Sequence, residues 1–446
     1  MIGLAVLQGA AALEENQVRG MEEWFGTDPA KRGALSADLA GVSPADAKEA
    51  GALRDEVWAA YRKGALKLGW DTEIAAMPPT LEAIKEMPEG ERPKLVPGKM
   101  EAGGKAMPYF LVAKGRKPDA GWPLVISLHG GGGNAGADGP HAWPVNTREW
   151  QTQLALFERI YPGDALYFIP RMADDREGRW WYDYCQEMYE SFIRRAVLFR
   201  EVDPNRIYVI GISEGGYAAY RLPANQPDRW AAAGAMAAAE PLATSPPENL
   251  RHTAFRCDIG EKDSMFDRIG LARNFFKQLD TLEKDHAGCY VHHFGEQAGK
   301  GHGIDYQPCP EWVVKHRRSP RPKEITWNVQ ELHHTLHRHN YWLELAAPPA
   351  KLPVKLTGSI KDNTINLTSS APEVRLRLVL DDRLLDLDQP VTVTLNGTTV
   401  HSGKIPRKLE ALIRTIAERG DPEMVFSAAL EVGSAAKADP ASPPPP

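Results

Sequence analysis

Seven short apolar runs between residues 108 and 294 constrain what this chain can fold into. They are 108–113 (PYFLVA), 123–128 (PLVISL), 165–170 (ALYFIP), 206–212 (RIYVIGI), 231–239, 254–259 and 289–294. Glycine and proline punctuate them as they do strands. Residues 187–202 and 265–282 have helical periodicity, and a further helix is expected after Ile212. Strands that are apolar nearly throughout must be covered on both faces. Helices between successive strands provide that cover, so the expected class is α/β with a mostly parallel sheet.

The flanks have different rhythms. Residues 14–90 are mostly polar and lack β-branched runs, which predicts helix. Ser43-Pro44 reads as an N-cap followed by proline at the first helical position, with Ala47, Ala50, Leu53, Val57 and Tyr61 forming one apolar stripe. Pro78-Pro79 and residues 88–97 read as a linker. Past Pro348-Pro349, residues 374–380, 390–395 and 398–401 alternate with a period of two, and Asn396-Gly397 marks a hairpin turn. A helix is expected near 407–419. The expected organisation is a helical segment and linker at 1–96, a catalytic α/β domain at 97–349, a small β-rich module at 350–433 and a disordered tail at 434–446.

Composition narrows the class of function. The 446 residues carry a formal net charge of −6, too little field to hold nucleic acid or an anionic membrane by bulk charge. The basic loop 315–323 (KHRRSPRPK) lacks interleaved aromatics and reads as a solvated surface. No stretch approaches the ~20 apolar residues that a spanning helix needs. Cys185, Cys257, Cys289 and Cys309 show no metal-site spacing, so free, mostly buried thiols are expected. A bridge between Cys289 and Cys309 would be permitted in an exported protein. Residues 1–13 (MIGLAVLQGAAAL) are similar to the apolar half and small-residue cleavage site of a secretory signal. That reading places the protein outside the cell or in the periplasm; the alternative is a first helical turn in a cytoplasmic protein. The tract 333–339 (HHTLHRH) has neither HExxH nor a carboxylate or cysteine at ligand spacing, so partly solvated strand histidines are expected there and no metal. No cofactor is expected either.

Two glycine-rich segments carry chemistry. Gly211-Ile212-Ser213-Glu214-Gly215-Gly216 follows the run RIYVIGI and precedes a helix, the setting of a nucleophile elbow. The sharp turn lifts a serine Oγ above the sheet edge, and that hydroxyl is a poor nucleophile until a base takes its proton. His129-Gly130-Gly131-Gly132-Gly133-Asn134 ends the run PLVISL, where glycines let backbone N–H groups face a developing oxyanion. A phosphate loop would require the GxxxxGK[ST] ending, which is absent. An elbow predicts an acid and then a histidine downstream. Asp263 lies in a turn after a strand, whereas Asp258 falls within the strand and Asp267 in the next helix, both read as surface groups. His302 lies in the loop Gly299-Lys300-Gly301-His302-Gly303, while His292 and His293 fall within a strand.

Residues from about 97 to 345 resemble an α/β-hydrolase, and most closely the polyhydroxybutyrate depolymerase and feruloyl esterase branch, on HGGGG at 129–133, GISEGG at 211–216, GEKD at 260–263 and GKGHG at 299–303. The resemblance implies Ser213 as nucleophile, His302 as general base and acid, and Asp263 as the group orienting the imidazole. It also implies oxyanion donors from the backbone N–H groups of Gly131 and Glu214. Glu214 stands where those esterases often carry an apolar residue, and its carboxyl would disfavour acidic substrates. The expected activity is cleavage of a small or polymeric carboxylic ester through an acyl-enzyme. Alternatives are a prolyl-oligopeptidase-like peptidase, for which 96 leading residues are too few to build a propeller, and a non-catalytic binder on a hydrolase scaffold. Aromatics cluster between the two catalytic loops; adjacent ones cannot all face one core, so the pair Trp180-Trp181 offers either a platform for an aryl or sugar-linked ester or packing under a loop. The C-terminal module reads as a carbohydrate- or surface-binding unit, or as a cap on the core.

Overall fold

The computed structural model describes residues 13–92 and 94–433. The signal-like segment lies almost entirely outside them, and the expected tail lies wholly outside. The chain divides into two compact units, Gly69–Pro320 with Gln330–His337, and Met1–Leu68 with Arg321–Val329 and Arg338–Pro446. No helix among the described residues is long and apolar enough to cross a membrane.

The first unit is built on an eight-stranded mixed sheet. Its strands are β1 (Gly98–Ala102), β2 (Lys105–Lys114), β3 (Trp122–Leu128), β4 (Ala165–Pro170), β5 (Val202–Ile212), β6 (Ala232–Met236), β7 (Ala254–Gly260) and β8 (His292–Gln297), in the order β1-β2-β4-β3-β5-β6-β7-β8. The pairs β1–β2 and β2–β4 are antiparallel, and every pair from β4–β3 onward is parallel. Every residue of β3, β4, β6 and β7 is buried, as the two-sided cover requires. Helices Pro144–Ile160, Asp183–Phe199, Glu214–Asn225 and Arg268–Asp285 alternate with the strands. This is the α/β-hydrolase architecture expected from the sequence. The last strand begins three residues later than expected, because Gly288 and Tyr290 take positive φ and the chain becomes extended only after them.

The second unit brings together segments from the two flanks of the chain. Strands Glu324–Val329, Val354–Lys361, Thr364–Ser369, Val391–Leu395 and Thr398–Gly403 form one sheet; His339–Asn340, Leu343–Leu345, Leu376–Leu380 and Ala428–Val432 form another. Val354–Lys361 alternates strictly between buried and less buried residues, the pattern of a strand with one face toward a core. Asn396 (φ 50°) and Gly397 (φ 79°) make the predicted hairpin turn. Helix Ala47–Lys67 buries Ala50, Leu53, Val57, Ala60 and Tyr61, and packs with helices Glu15–Phe25 and Leu409–Arg419. The Leu409 N–H donates to the Val42 carbonyl at 3.0 Å, and Arg407 Nη1 to that of Ala45 at 3.3 Å. Residues 1–96, expected to stand as one segment, therefore divide at residue 68. An amphipathic helix needs a partner for its apolar stripe, and here the C-terminal module provides it. Asp46, not Ser43, caps the helix, accepting the Glu49 N–H at 2.8 Å.

Candidate active site

The elbow forms where β5 meets helix Glu214–Asn225. Ser213 sits between them at φ 52°, ψ −110°, a conformation that costs a non-glycine residue about 1–3 kcal/mol. Surrounding structure enforces it: the Ser213 N–H donates to the Met236 carbonyl at 2.8 Å. A Cβ on Gly211 would lie 2.1 Å from the Gly215 carbonyl oxygen, and one on Gly215 would lie 2.2 Å from that of Leu128. The two glycines are thus required by close backbone approach, as the motif predicts.

His302 and Asp263 arrive from the loops after β8 and β7. His302 Nε2 lies 3.1 Å from Ser213 Oγ, and Nδ1 lies 2.7 Å from Asp263 Oδ2. A carboxylate only accepts, so Nδ1 holds the proton and Nε2 is left to accept from the serine hydroxyl. Asp263 is buried, and its other oxygen accepts from Arg268 Nη1 at 3.1 Å. Arg268 Nε in turn donates to the Tyr217 hydroxyl at 2.8 Å. The sequence reading missed Arg268 and Tyr217, which carry no motif of their own. Of the rival acids, Asp267 is exposed, at φ 56° before its helix. Asp258, expected at the surface, is instead buried in β7 and paired with Arg256 at 2.6 and 2.8 Å. A buried carboxylate requires such a partner. His292 bonds to the Tyr290 carbonyl at 2.7 Å and to Asp280 at 3.1 Å, in keeping with a packing role.

The glycine-rich loop lies against the serine: a Cβ on Gly130 would come within 3.6 Å of both Ser213 Cβ and the Ile212 carbonyl. His129 is fully buried, and its Nε2 accepts the Met172 N–H at 3.0 Å. Its proton therefore sits on Nδ1, which donates to the Gly130 carbonyl at 2.5 Å. Burial pushes this imidazole down to about 3, so it stays neutral at ordinary pH. With the Gly130 carbonyl turned toward His129, the N–H across the same trans peptide, that of Gly131, faces the other way. Glu214 opens the elbow helix, where first-turn N–H groups lack intrahelical partners.

The aromatic pair separates. Trp180 is 0% exposed; its Nε1 donates to the His129 carbonyl at 2.9 Å, and its ring meets that of His129 edge to face at 4.7 Å. Trp180, expected at the substrate, is instead a core residue beneath the glycine-rich loop. Adjacent side chains diverge, and Trp181 lines a cleft of about 370 Å³ with Glu214, Tyr217, Arg221, Glu240 and Phe266. The Arg221 guanidinium lies 4.1 Å from the Trp181 ring centroid and pairs with Glu240 at 2.6 and 3.1 Å. Phe266 is 74% exposed despite φ 55°. The Glu214 carboxyl is buried, with Arg179 Nε 3.3 Å away but not aligned for a hydrogen bond. Burial raises it to about 7, against the opposing pull of Arg179. Within the histidine tract, His333 stacks on Tyr182 at 3.7 Å and His337 bonds to Asp228 at 3.0 Å. All four cysteines are free thiols.

No known protein-family profile matches the chain. Over 152 residues it is 30% identical to NocK of Nocardia uniformis subsp. tsuyamanensis, named as a candidate esterase; the match covers 34% of this chain and 42% of that protein. Among solved structures, a thermostable esterase aligns at TM-score 0.38 with 19% identity, covering 50% of this chain and 63% of that one. A protein of Bacteroides ovatus, named as a candidate dipeptidyl aminopeptidase IV, aligns at TM-score 0.35 with 15% identity, covering 50% and 35%. Overlaps this partial say nothing about the reaction. The chain has the α/β-hydrolase fold, and about a third of its length is similar to a protein named as a candidate esterase.

Proposed function

We propose that the chain is a serine hydrolase that cleaves carboxylic esters through an acyl-enzyme. The observation that carries this reading is the unbroken hydrogen-bond chain from Ser213 Oγ through His302 to Asp263, at 3.1 and 2.7 Å. In this mechanism His302 Nε2 takes the serine proton as Oγ attacks the ester carbonyl. The tetrahedral oxyanion is met by the N–H groups of Gly131 and Glu214. Collapse expels the alcohol, which receives the proton from His302. Water then repeats the sequence and releases the acid. Asp263 holds the imidazole in the required tautomer and stabilises its charged form. The cleft beside Glu214, walled by Trp181 and Phe266, suits an ester with an aromatic or other apolar acyl group.

The test is a panel of acetyl, aryl-acyl and feruloyl esters with aminoacyl amides, run on the wild type and on Ser213→Ala. Ester turnover is expected to fall by several orders of magnitude in the variant, with an unchanged melting curve. Equal ester turnover in the two proteins, or preferential cleavage of the amides, defeats the proposal.

A further inference from the structure

We infer that Asn146, anchored by Asp175, is a positioning residue that holds the oxyanion loop in its working conformation; this rests on the serine-hydrolase reading above. Gly131 and Gly132 have φ of 93° and 141°, outside the regions that backbone sterics favour for most residues. Two adjacent glycines hold such a shape only if something outside them fixes their peptides. His129 fixes the Gly130 carbonyl on one side.

Asn146 fixes the other side. It lies in the first turn of helix Pro144–Ile160 and is fully buried. Its Oδ1 accepts the Gly132 N–H at 3.0 Å, and its Nδ2 donates to the Gly132 carbonyl at 3.1 Å. One side-chain amide thus takes both backbone polar groups of a single residue, as a neighbouring strand would. A Cβ on Gly131 would lie 2.4 Å from Asn146 Oδ1, so the amide packs directly against the residue whose N–H is the proposed oxyanion donor.

The amide is itself locked. Asn146 Nδ2 also donates to Asp175 Oδ1 at 2.9 Å. Asp175 accepts a bidentate pair from Arg171 at 2.9 Å on each oxygen and the Trp143 N–H at 2.5 Å. Its backbone carbonyl accepts the Asn134 N–H, closing the far end of the same loop. Hydrogen bonds to the Asp175 carboxylate fix which end of the Asn146 amide is the donor, so the Gly132 contacts cannot swap. Asn146, Asp175 and Arg171 are all buried. Their effect is to remove the loop's freedom to rotate the Gly131 N–H away before the oxyanion forms.

A donor aimed at the transition state raises kcat and leaves ground-state binding little changed. The expected result for Asn146→Ala is a fall in kcat of about 10- to 100-fold with KM nearly unchanged, since removing one oxyanion donor outright costs about 100- to 1000-fold. Inactivation by an aryl phosphonate, whose phosphoryl oxygen would occupy the same hole, should slow in parallel while still reaching one label per chain. Full stoichiometry shows that the active fraction is intact, so a merely structural defect would not give this pattern. Asn146→Ser carries the same test if the alanine variant does not fold. Wild-type kcat and labelling rate in a folded variant would overturn the inference. A wild-type protein that neither turns over esters nor takes the label at Ser213 would overturn the underlying reading instead.

Discussion

Glu214 brings a carboxyl group to a place that water hardly reaches, beside the proposed nucleophile. Its raised value, about 7 against 4.5 for a free glutamate, means the folded protein holds a proton that the unfolded chain has already released. The resulting stability is fully present below pH about 4.5 and is lost as pH rises through about 7. Glu214→Gln should remove that slope. The variant's unfolding free energy should gain on wild type between these limits, levelling off above pH 7 at up to about 3 kcal/mol. Denaturant titrations at pH 5 and pH 8 check this; an equal difference at both would show that the carboxyl titrates normally. The tryptophan pair gives a second residue-level contrast. Trp181→Ala should lose several-fold in kcat/KM for aryl-acyl esters and little for acetyl esters, on the order of 1 kcal/mol of ring contact. Trp180→Ala should instead lower stability by about 3–5 kcal/mol and impair every substrate alike. Melting curves with both esters separate the two. Uniform loss in Trp181→Ala would remove it from the substrate site.

At the scale of elements, the nucleophile elbow and the hairpin were legible because each needs backbone geometry that only certain residues allow. Gly211 and Gly215 flank Ser213 at distances no side chain would permit, and Asn396-Gly397 makes its turn with φ of 50° and 79°. Periodicity located β2 to β7 because two-sided burial leaves an unbroken apolar run. Positions where local rules fail were less legible. Phe266 and Asp267 both take positive φ, and the helix expected from residue 265 begins at Arg268. Tyr290 likewise delays β8. Strand Glu324–Val329 went unread because its pattern takes on meaning only beside Val354–Lys361, its antiparallel partner. Such pairings join segments distant in sequence and leave little trace in either one.

Over the whole molecule, the unit built from the two flanks of the chain has a testable consequence of its own. Helix Ala47–Lys67 covers apolar side chains of helix Leu409–Arg419, whose buried residues include Leu412, Ile413 and Ile416. A chain lacking residues 1–68 should therefore show faster proteolysis within 350–433, read by mass spectrometry of the fragments. Equal resistance with and without the first 68 residues would mean that the C-terminal strands and helix form a sufficient core without them.

Local sequence was enough for the α/β class, the elbow, the glycine-rich loop and the choice of Ser213, Asp263 and His302 as residues to be brought together. Each rests on local constraints: burial pattern, backbone sterics, or motif order along the chain. Which tryptophan faces the cleft depends on the packed fold, because two adjacent aromatics have equal claims until the surrounding core is known. It alone placed Asp258 in an ion pair with Arg256, and Asp263 between His302 and Arg268. It alone brought to the oxyanion loop Asn146, 14 residues beyond Gly132, and Asp175, 29 residues beyond Asn146. A buried amide that fastens another segment's backbone has no motif, since its role depends on what folds against it.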